Sequence, residues 1–279
     1  MKEIDTKVIT NEVARLCVEA ATYIECDVLK VLKKAKDNES GLSKSIMEQI
    51  IENDELATNE NVPMCQDTGI MICFVEIGND VHLNGDLYEA INKGVSKGYT
   101  EGYLRKSVVK SPLNRINTRD NTPAIVHVKY VLGDQLKITV CPKGAGSENM
   151  SKVKMLVPAD GIDGIKKFVV DTIVEAGGRA CPPLIVGVGI GGDIEKAGLI
   201  AKEALLRPID DESSDSDANK LEKELYKELN DLRVGPMGLG GKTTALAVKV
   251  NLYPCHIASL PVAVNIQCHA SRHKVVILW

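Results

Sequence analysis

Aromatic side chains are scarce in this 279-residue chain: one Trp, two Phe and seven Tyr make up 4% of it. So few rings argue against a stacking platform for single-stranded nucleic acid. Basic charge is not in excess either. The 34 Lys and Arg stand against 38 Asp and Glu, a formal net charge of -4, which argues against duplex binding driven by phosphate neutralisation. No apolar run approaches the ~20 residues that a membrane span needs. The opening stretch MKEIDTKVIT lacks the apolar core of a signal peptide. The expectation is a cytoplasmic protein that engages neither nucleic acid nor membrane. C-x-x-C spacing is also missing from its eight cysteines, which excludes zinc-finger and thioredoxin-type arrangements. In a reducing compartment disulfides are not expected, so each cysteine is a small core residue, a nucleophile or a metal ligand.

What is present is ordinary for a globular protein: 44% hydrophobic and 26% charged residues. The length suits one large domain or two intimate lobes. Val13, Leu16, Cys17, Ala20, Ile24, Val28 and Leu32 recur at helical steps and predict one amphipathic helix, capped near Thr10 or Asn11, with Cys17 in the core. Further helices are predicted over 43–56, from Asp86 toward Arg105, over 163–176 with Gly177 as its stop, over 193–206 and over 218–233. A polar loop is expected over 54–69 and a strand over 70–77. Residues 124–140 read as a hairpin turning at Gly133-Asp134. The run LIVGVGIGG after Pro183 has the composition of a buried strand. The acidic stretch 209–217 reads as an exposed linker. The fold class is mixed α/β, with a helical N-terminal part.

Two glycine-rich stretches invite a nucleotide reading and fail it. GPMGLGGKT (235–243) has Pro236 where a P-loop needs glycine, and a helix precedes it while a strand follows. Its Lys242, Thr243 and Thr244 can still line an anion site. Gly187, Gly189 and Gly192 satisfy G-x-G-x-x-G. The acidic partner expected about 20 residues on falls in the polar 209–217 stretch. Close packing of a strand on a helix explains these glycines more simply. His82 and His127 read as structural.

Three cysteines stand apart. Cys65, Cys181 and Cys268 each sit at an irregular polar junction flanked by proline, glycine or histidine. Such distant thiols need the fold to assemble them. They suit an iron–sulfur cluster with one iron lacking a protein thiolate, three loop cysteines that hold no metal, or a single catalytic cysteine activated by Asp67 or His269.

Six ordered motifs then add a resemblance: VPMCQDTG (62–69), DNTPA (120–124), KGAGSEN (143–149), CPPLIVGVGIGG (181–192), GPMGLGGKTTA (235–245) and CHASR (268–272). Together they resemble the α subunit, or N-terminal half, of the iron–sulfur (class I) fumarate hydratases, with L-tartrate dehydratase α subunits as close relatives. The resemblance implies a domain over 1–279 with a mixed sheet around a 4Fe–4S cluster ligated by Cys65, Cys181 and Cys268. Asp67 would handle the proton of the departing hydroxyl, with Gln66 facing the substrate beside it. Arg105 would bind a substrate carboxylate, and the backbone of Gly144 and Gly146 would approach the substrate. His256 would be a further polar catalytic contact. Ala145, Glu148 and His273 depart mildly from the family pattern. The substrate is expected to be a four-carbon dicarboxylate, fumarate and malate first, tartrate and oxaloacetate as the alternative. A non-catalytic iron–sulfur subunit is the rival from another class. No motif supplies a base for the carbon proton, and Cys268 lies close to Trp279. A separate β subunit is therefore expected to complete the site in a hetero-oligomer.

Overall fold

The computed structural model describes residues 2–279. In chain order the elements are β1 (Lys2–Ile4), α1 (Thr6–Thr22), α2 (Cys26–Asn38), α3 (Gly41–Glu60), β2 (Ile70–Gly78), β3 (Val81–Leu83) and α4 (Leu87–Glu101). Then come β4 (Ile125–Val131), β5 (Leu136–Lys143), the single turn α5 (Ala145–Glu148), β6 (Lys152–Leu156), α6 (Gly161–Ala176) and β7 (Leu184–Gly191). The chain closes with α7 (Ile194–Ala204), α8 (Ser216–Asp231), β8 (Ala245–Tyr253), β9 (Leu260–Gln267) and β10 (Lys274–Leu278). The class is mixed α/β, as the sequence predicts. The chain divides into two compact units. One comprises Met1–Ile24, Asn53–Ala145 and Arg272–Trp279; the other comprises Glu25–Glu52 and Gly146–Ser271. Among the described residues no helix is long and apolar enough to cross a membrane.

The first unit is built on a four-stranded sheet in the order β10-β5-β2-β4. The apolar face of α1 (Ile9, Val13, Leu16, Cys17, Ala20) meets Ile91, Val95 and Tyr99 of α4 and the inward residues of β2 and β5 in one core. Cys17 is buried there, as its position on the stripe predicts. The α1 cap is Asp5, whose side chain accepts the Lys7 N–H, not Thr10 or Asn11. The predicted single helix breaks at Tyr23–Glu25. The stripe stays in phase across the break because Ile24 and Val28 are both buried; periodicity alone does not register the interruption. Residues 57–60, read as loop, extend the predicted 43–56 helix as part of α3.

The predicted 124–140 hairpin is also corrected. β4 and β5 do not pair with each other. Both pair with β2, which lies between them, parallel to β4 and antiparallel to β5. The Gly133 turn instead crosses the end of β2, where Gly78 N–H donates to the Gln135 carbonyl at 2.9 Å. β2 is buried along most of its length and takes the central position that its apolar composition suits. His127 is structural: its ring stacks on Phe74 across the β2–β4 pair, with centroids 5.1 Å apart.

The second unit has a sheet in the order β6-β9-β7-β8 between helices. Val186, Val188 and Ile190 of β7 point into a core with α6 and α8. The alternate residues, Gly187 and Gly189, face α7. A Cβ at Gly187 would lie 2.2 Å from the Ala201 carbonyl oxygen, and one at Gly189 would lie 2.1 Å from that of Ala197. Strand alternation therefore accounts for the spaced glycines, which sit inside the strand and not in a phosphate-binding turn. The 209–217 stretch is only partly exposed. Ile209 is buried, and Asp211 is gripped by Arg207 and by Lys249, whose Nζ lies 2.6 Å from its carboxylate. α8 begins before the stretch ends.

Candidate active site

Asp67 occupies a loop that follows α3. The loop is anchored at buried Met64, whose N–H donates to the Ala21 carbonyl at 2.9 Å and whose carbonyl accepts from Asn53 Nδ2 at 2.9 Å. Cys65 follows at once and is half-buried; Gln66 is exposed. The Asp67 carboxylate is held at both oxygens. Oδ1 accepts the Gly69 N–H at 3.0 Å, and Oδ2 accepts the Ala145 N–H at 2.8 Å. Each oxygen retains a further lone pair for a proton.

Gly144 abuts this carboxylate. A Cβ there would lie 3.3 Å from Asp67 Oδ2 and 3.2 Å from Arg272 Nη2, so a side chain would crowd both charged groups. Gly69, at a φ of +78°, packs on the Lys143 backbone, which a Cβ would meet at 2.7 Å. Arg105 is exposed. Its carbonyl accepts the Thr68 hydroxyl at 2.9 Å, which ties its segment to the residue after Asp67. Arg272 was not singled out from the sequence. It is buried, and its Nη1 donates to the Asp67 carbonyl at 2.7 Å. Its signal was its place at the end of the CHASR motif.

In the second unit Cys181 and Cys268 come together. Cys181 ends a turn of 3-10 helix in the left-handed conformation, with φ 54 and ψ 64, just before β7. Cys268 directly follows β9. Because β7 and β9 are antiparallel, with Ile185 opposite Gln267, both cysteines fall at one end of the pair. The His269 N–H donates to the Cys181 carbonyl at 3.4 Å. Both thiols are half-buried, and Gln267 Nε2 donates to Cys268 Sγ at 3.6 Å. Gly146 is exposed in this unit.

His256 stands apart from the two cysteines of its unit. It lies in the connection from β8 to β9, at the end of the sheet where Gly191 pairs with Tyr253. The eight residues of β9 separate it from Cys268, roughly 27 Å at about 3.4 Å per residue. Its Nδ1 accepts the Ala258 N–H at 3.1 Å. It therefore does not join the two cysteines of its own chain.

The remaining cysteines differ in kind. Cys17, Cys73 and Cys141 are buried and Cys26 and Cys255 are exposed. Burial pushes the Cys17 thiol up, and burial with the neighbouring Cys141 pushes Cys73 to about 12. Such thiols stay protonated and inert. Only Cys65, Cys181 and Cys268 combine partial exposure with an irregular backbone. Soft sulfur donors of that kind suit iron–sulfur ligation. Among the described residues no group of three or more His, Cys, Asp or Glu could hold a single metal ion. A cubane cluster makes a different demand, because each thiolate binds its own iron.

The P-loop look-alike is an anion cradle filled by the protein itself. Glu39 is 6% exposed. Its carboxylate accepts the N–H groups of Lys242 and Thr243, at 2.8 and 2.6 Å, and the Ser43 hydroxyl at 3.0 Å. Burial raises its pKa, but these hydrogen bonds outweigh burial and hold it below the ordinary carboxylate value.

Comparison with known proteins gives a family and several relatives. A family described as "Fumarate hydratase (Fumerase)" matches residues 10–277. "Putative L(+)-tartrate dehydratase subunit alpha" of Methanocaldococcus jannaschii is 44% identical over 96% of this chain and 96% of its own length. The L(+)-tartrate dehydratase subunit alpha of Escherichia coli O157:H7 is 32% identical over 97% of this chain and 90% of its own length. That of E. coli strain UTI89 is 33% identical over 95% and 88%. The chain belongs to the fumarate hydratase (Fumerase) family of hydro-lyases.

Proposed function

We propose that this chain is the α subunit of an iron–sulfur hydro-lyase that adds or removes water across a carbon–carbon bond of a four-carbon dicarboxylate. The observation that carries this reading is the meeting of Cys181 and Cys268 at one end of β7 and β9, 87 residues apart in the chain. Cys65 is the third ligand. It lies two residues before Asp67, in the motif that the resemblance assigns to the first ligand. A 4Fe–4S cluster held by these three thiolates supplies Lewis acidity toward the substrate hydroxyl.

The chain's own groups do the rest. Asp67 gives a proton to the departing hydroxyl, and takes one in the reverse direction, through whichever lone pair the Gly69 and Ala145 N–H groups leave open. Gln66, exposed beside it, hydrogen-bonds the substrate. Arg105 takes a substrate carboxylate in a charge-assisted pair, which stabilises negative charge as the neighbouring carbon loses its proton. The absence of a side chain at Gly144 lets substrate approach the backbone next to Asp67, with Gly146 two residues on in the turn α5. The base for the carbon proton comes from a β subunit in a hetero-oligomer. The word "alpha" in the relatives' names supports such a partner.

Fumarate and malate are the first reading, in line with the family description. Tartrate and oxaloacetate are the second, favoured by the names of the relatives. The two reactions differ by one hydroxyl, so the pocket wall that reads it decides. The test is an anaerobic assay of the reconstituted chain on fumarate and on L-tartrate, with and without the product of a co-expressed β-type reading frame. Turnover only with the partner, abolished by air, is expected. Full turnover by the lone chain contradicts the shared site, and no turnover of either substrate by the complex contradicts the hydro-lyase reading.

A further inference from the structure

The turn that carries Asp67 is fixed through three consecutive carbonyls. The Asp67 carbonyl accepts from Arg272 Nη1 at 2.7 Å, and that of Thr68 accepts from the Tyr99 hydroxyl at 2.7 Å. The Gly69 carbonyl accepts from Tyr99 at 3.0 Å and from Asn121 Nδ2 at 3.1 Å. The three donors come from separate segments: the stretch before β10, α4 and the loop before β4. All are buried, with Tyr99 and Asn121 at 0% exposure and Arg272 at 3%. Asn121 also accepts the Ser107 and Val108 N–H groups, so it joins the same turn to the segment after Arg105.

Arg272 is the unusual member. A buried guanidinium is normally paired with a carboxylate, and an unpaired one is costly. Among the described residues Arg272 makes one hydrogen bond, to a neutral carbonyl, and its Nε is buried without a partner. Yet its Nη2 flanks the same side of Gly144 that Asp67 Oδ2 flanks. A folded protein retains so costly an arrangement where function uses it. We propose that Arg272 is the positioning residue for Asp67: it clamps the main chain at that carbonyl, so that the Asp67 carboxylate meets the Ala145 N–H and faces the substrate with one orientation. This rests on the reading of Asp67 as the proton-handling group.

The test compares Arg272→Gln, Arg272→Lys and Tyr99→Phe. Hydrogen exchange of peptides covering 64–70 is measured on the full chain without substrate. In the reconstituted complex, kcat and KM are measured at matched cluster absorbance. Arg272→Gln is expected to speed exchange at 66–69 at least tenfold while other peptides of the unit keep their protection. It is also expected to lower kcat about a hundredfold, the cost of misplacing a reacting group by about 1 Å, with KM within threefold. Arg272→Lys, which keeps charge and a donor, should recover part of kcat. Unchanged exchange at 66–69, or exchange that rises uniformly through the unit with kcat and KM falling together, overturns the proposal. If Arg272→Gln does not fold, Arg272→Lys is read by the same criteria, with Tyr99→Phe, which keeps the ring and the Arg272 bond, as the control for general loosening of the turn. An inactive wild-type complex would count against the hydro-lyase reading, whereas the exchange result would still decide the positioning role.

Discussion

Oδ2 of Asp67 accepts the backbone N–H of Ala145 at 2.8 Å, across 78 residues of chain. The bond joins the loop that carries Cys65 to the glycine loop that follows β5. With Gly69 N–H on the other oxygen, the carboxylate is fixed at both ends and still able to take a proton. Local side-chain rotation is thus removed before substrate arrives, which is the preorganisation that proton transfer exploits.

Asp67→Asn keeps the shape of the group and one acceptor oxygen, but removes the proton-handling function. It is expected to lower kcat by about 10²- to 10⁴-fold, with the cluster's visible absorbance unchanged. Stability should fall by only about 1 kcal/mol, because one backbone N–H now faces an amide nitrogen. Turnover per cluster and a thermal melt check both halves; kcat within threefold of the wild type contradicts the proton role.

Asp54, in α3, sets a pH dependence of stability. It has 0% exposure, and among the described residues its Oδ2 has no hydrogen-bond partner. Burial pushes its carboxyl from the ordinary 3.8 to about 7. The folded protein therefore binds this proton more tightly than the unfolded chain, and the group's contribution to stability falls as pH rises from about 4 through 7. Asp54→Asn should match the wild type at pH 4 and exceed it at pH 8 by about 4 kcal/mol. Urea unfolding at the two pH values measures this. An Asn variant less stable at pH 8 would show that the ionised carboxylate has a partner in solution.

Gly189 and Gly198 separate packing from propensity. Gly189→Ala drives a methyl against the Ala197 carbonyl and should cost about 1–3 kcal/mol, as overpacking does. Gly198, inside α7, has nothing within 4 Å of a Cβ. Gly198→Ala should leave stability unchanged or raise it by up to about 1 kcal/mol. Denaturant midpoints of the two variants give the comparison, and equal effects would contradict the packing account of the glycine motif.

Local chemistry was legible in the sequence where one element decides it. Asp86 caps α4 by accepting the Glu89 N–H, Gly177 ends α6 with φ 50, and the apolar run after Pro183 is a strand buried along its whole length. What escaped was non-local. Nothing in residues 124–140 announces that β2 lies between β4 and β5. His256 is twelve residues from Cys268 in the chain, and β9 spans the interval. Arg272 meets Asp67 across 205 residues, and Glu39 meets the Gly240-Gly241-Lys242 loop across 203. Both depend on tertiary assembly, which no periodicity or motif spacing encodes.

The account stands on Cys65, Cys181 and Cys268 acting together as cluster ligands. The most direct measurement is the iron and acid-labile sulfide content of the anaerobically reconstituted chain, for the wild type and for five single Cys→Ser variants. About four irons and four sulfides per chain are expected for the wild type and for Cys26→Ser and Cys255→Ser, whose thiols are exposed and outside the set. Serine at 65, 181 or 268 should reduce both counts severalfold. Full iron and sulfide retained with any one of those three replaced would contradict the account.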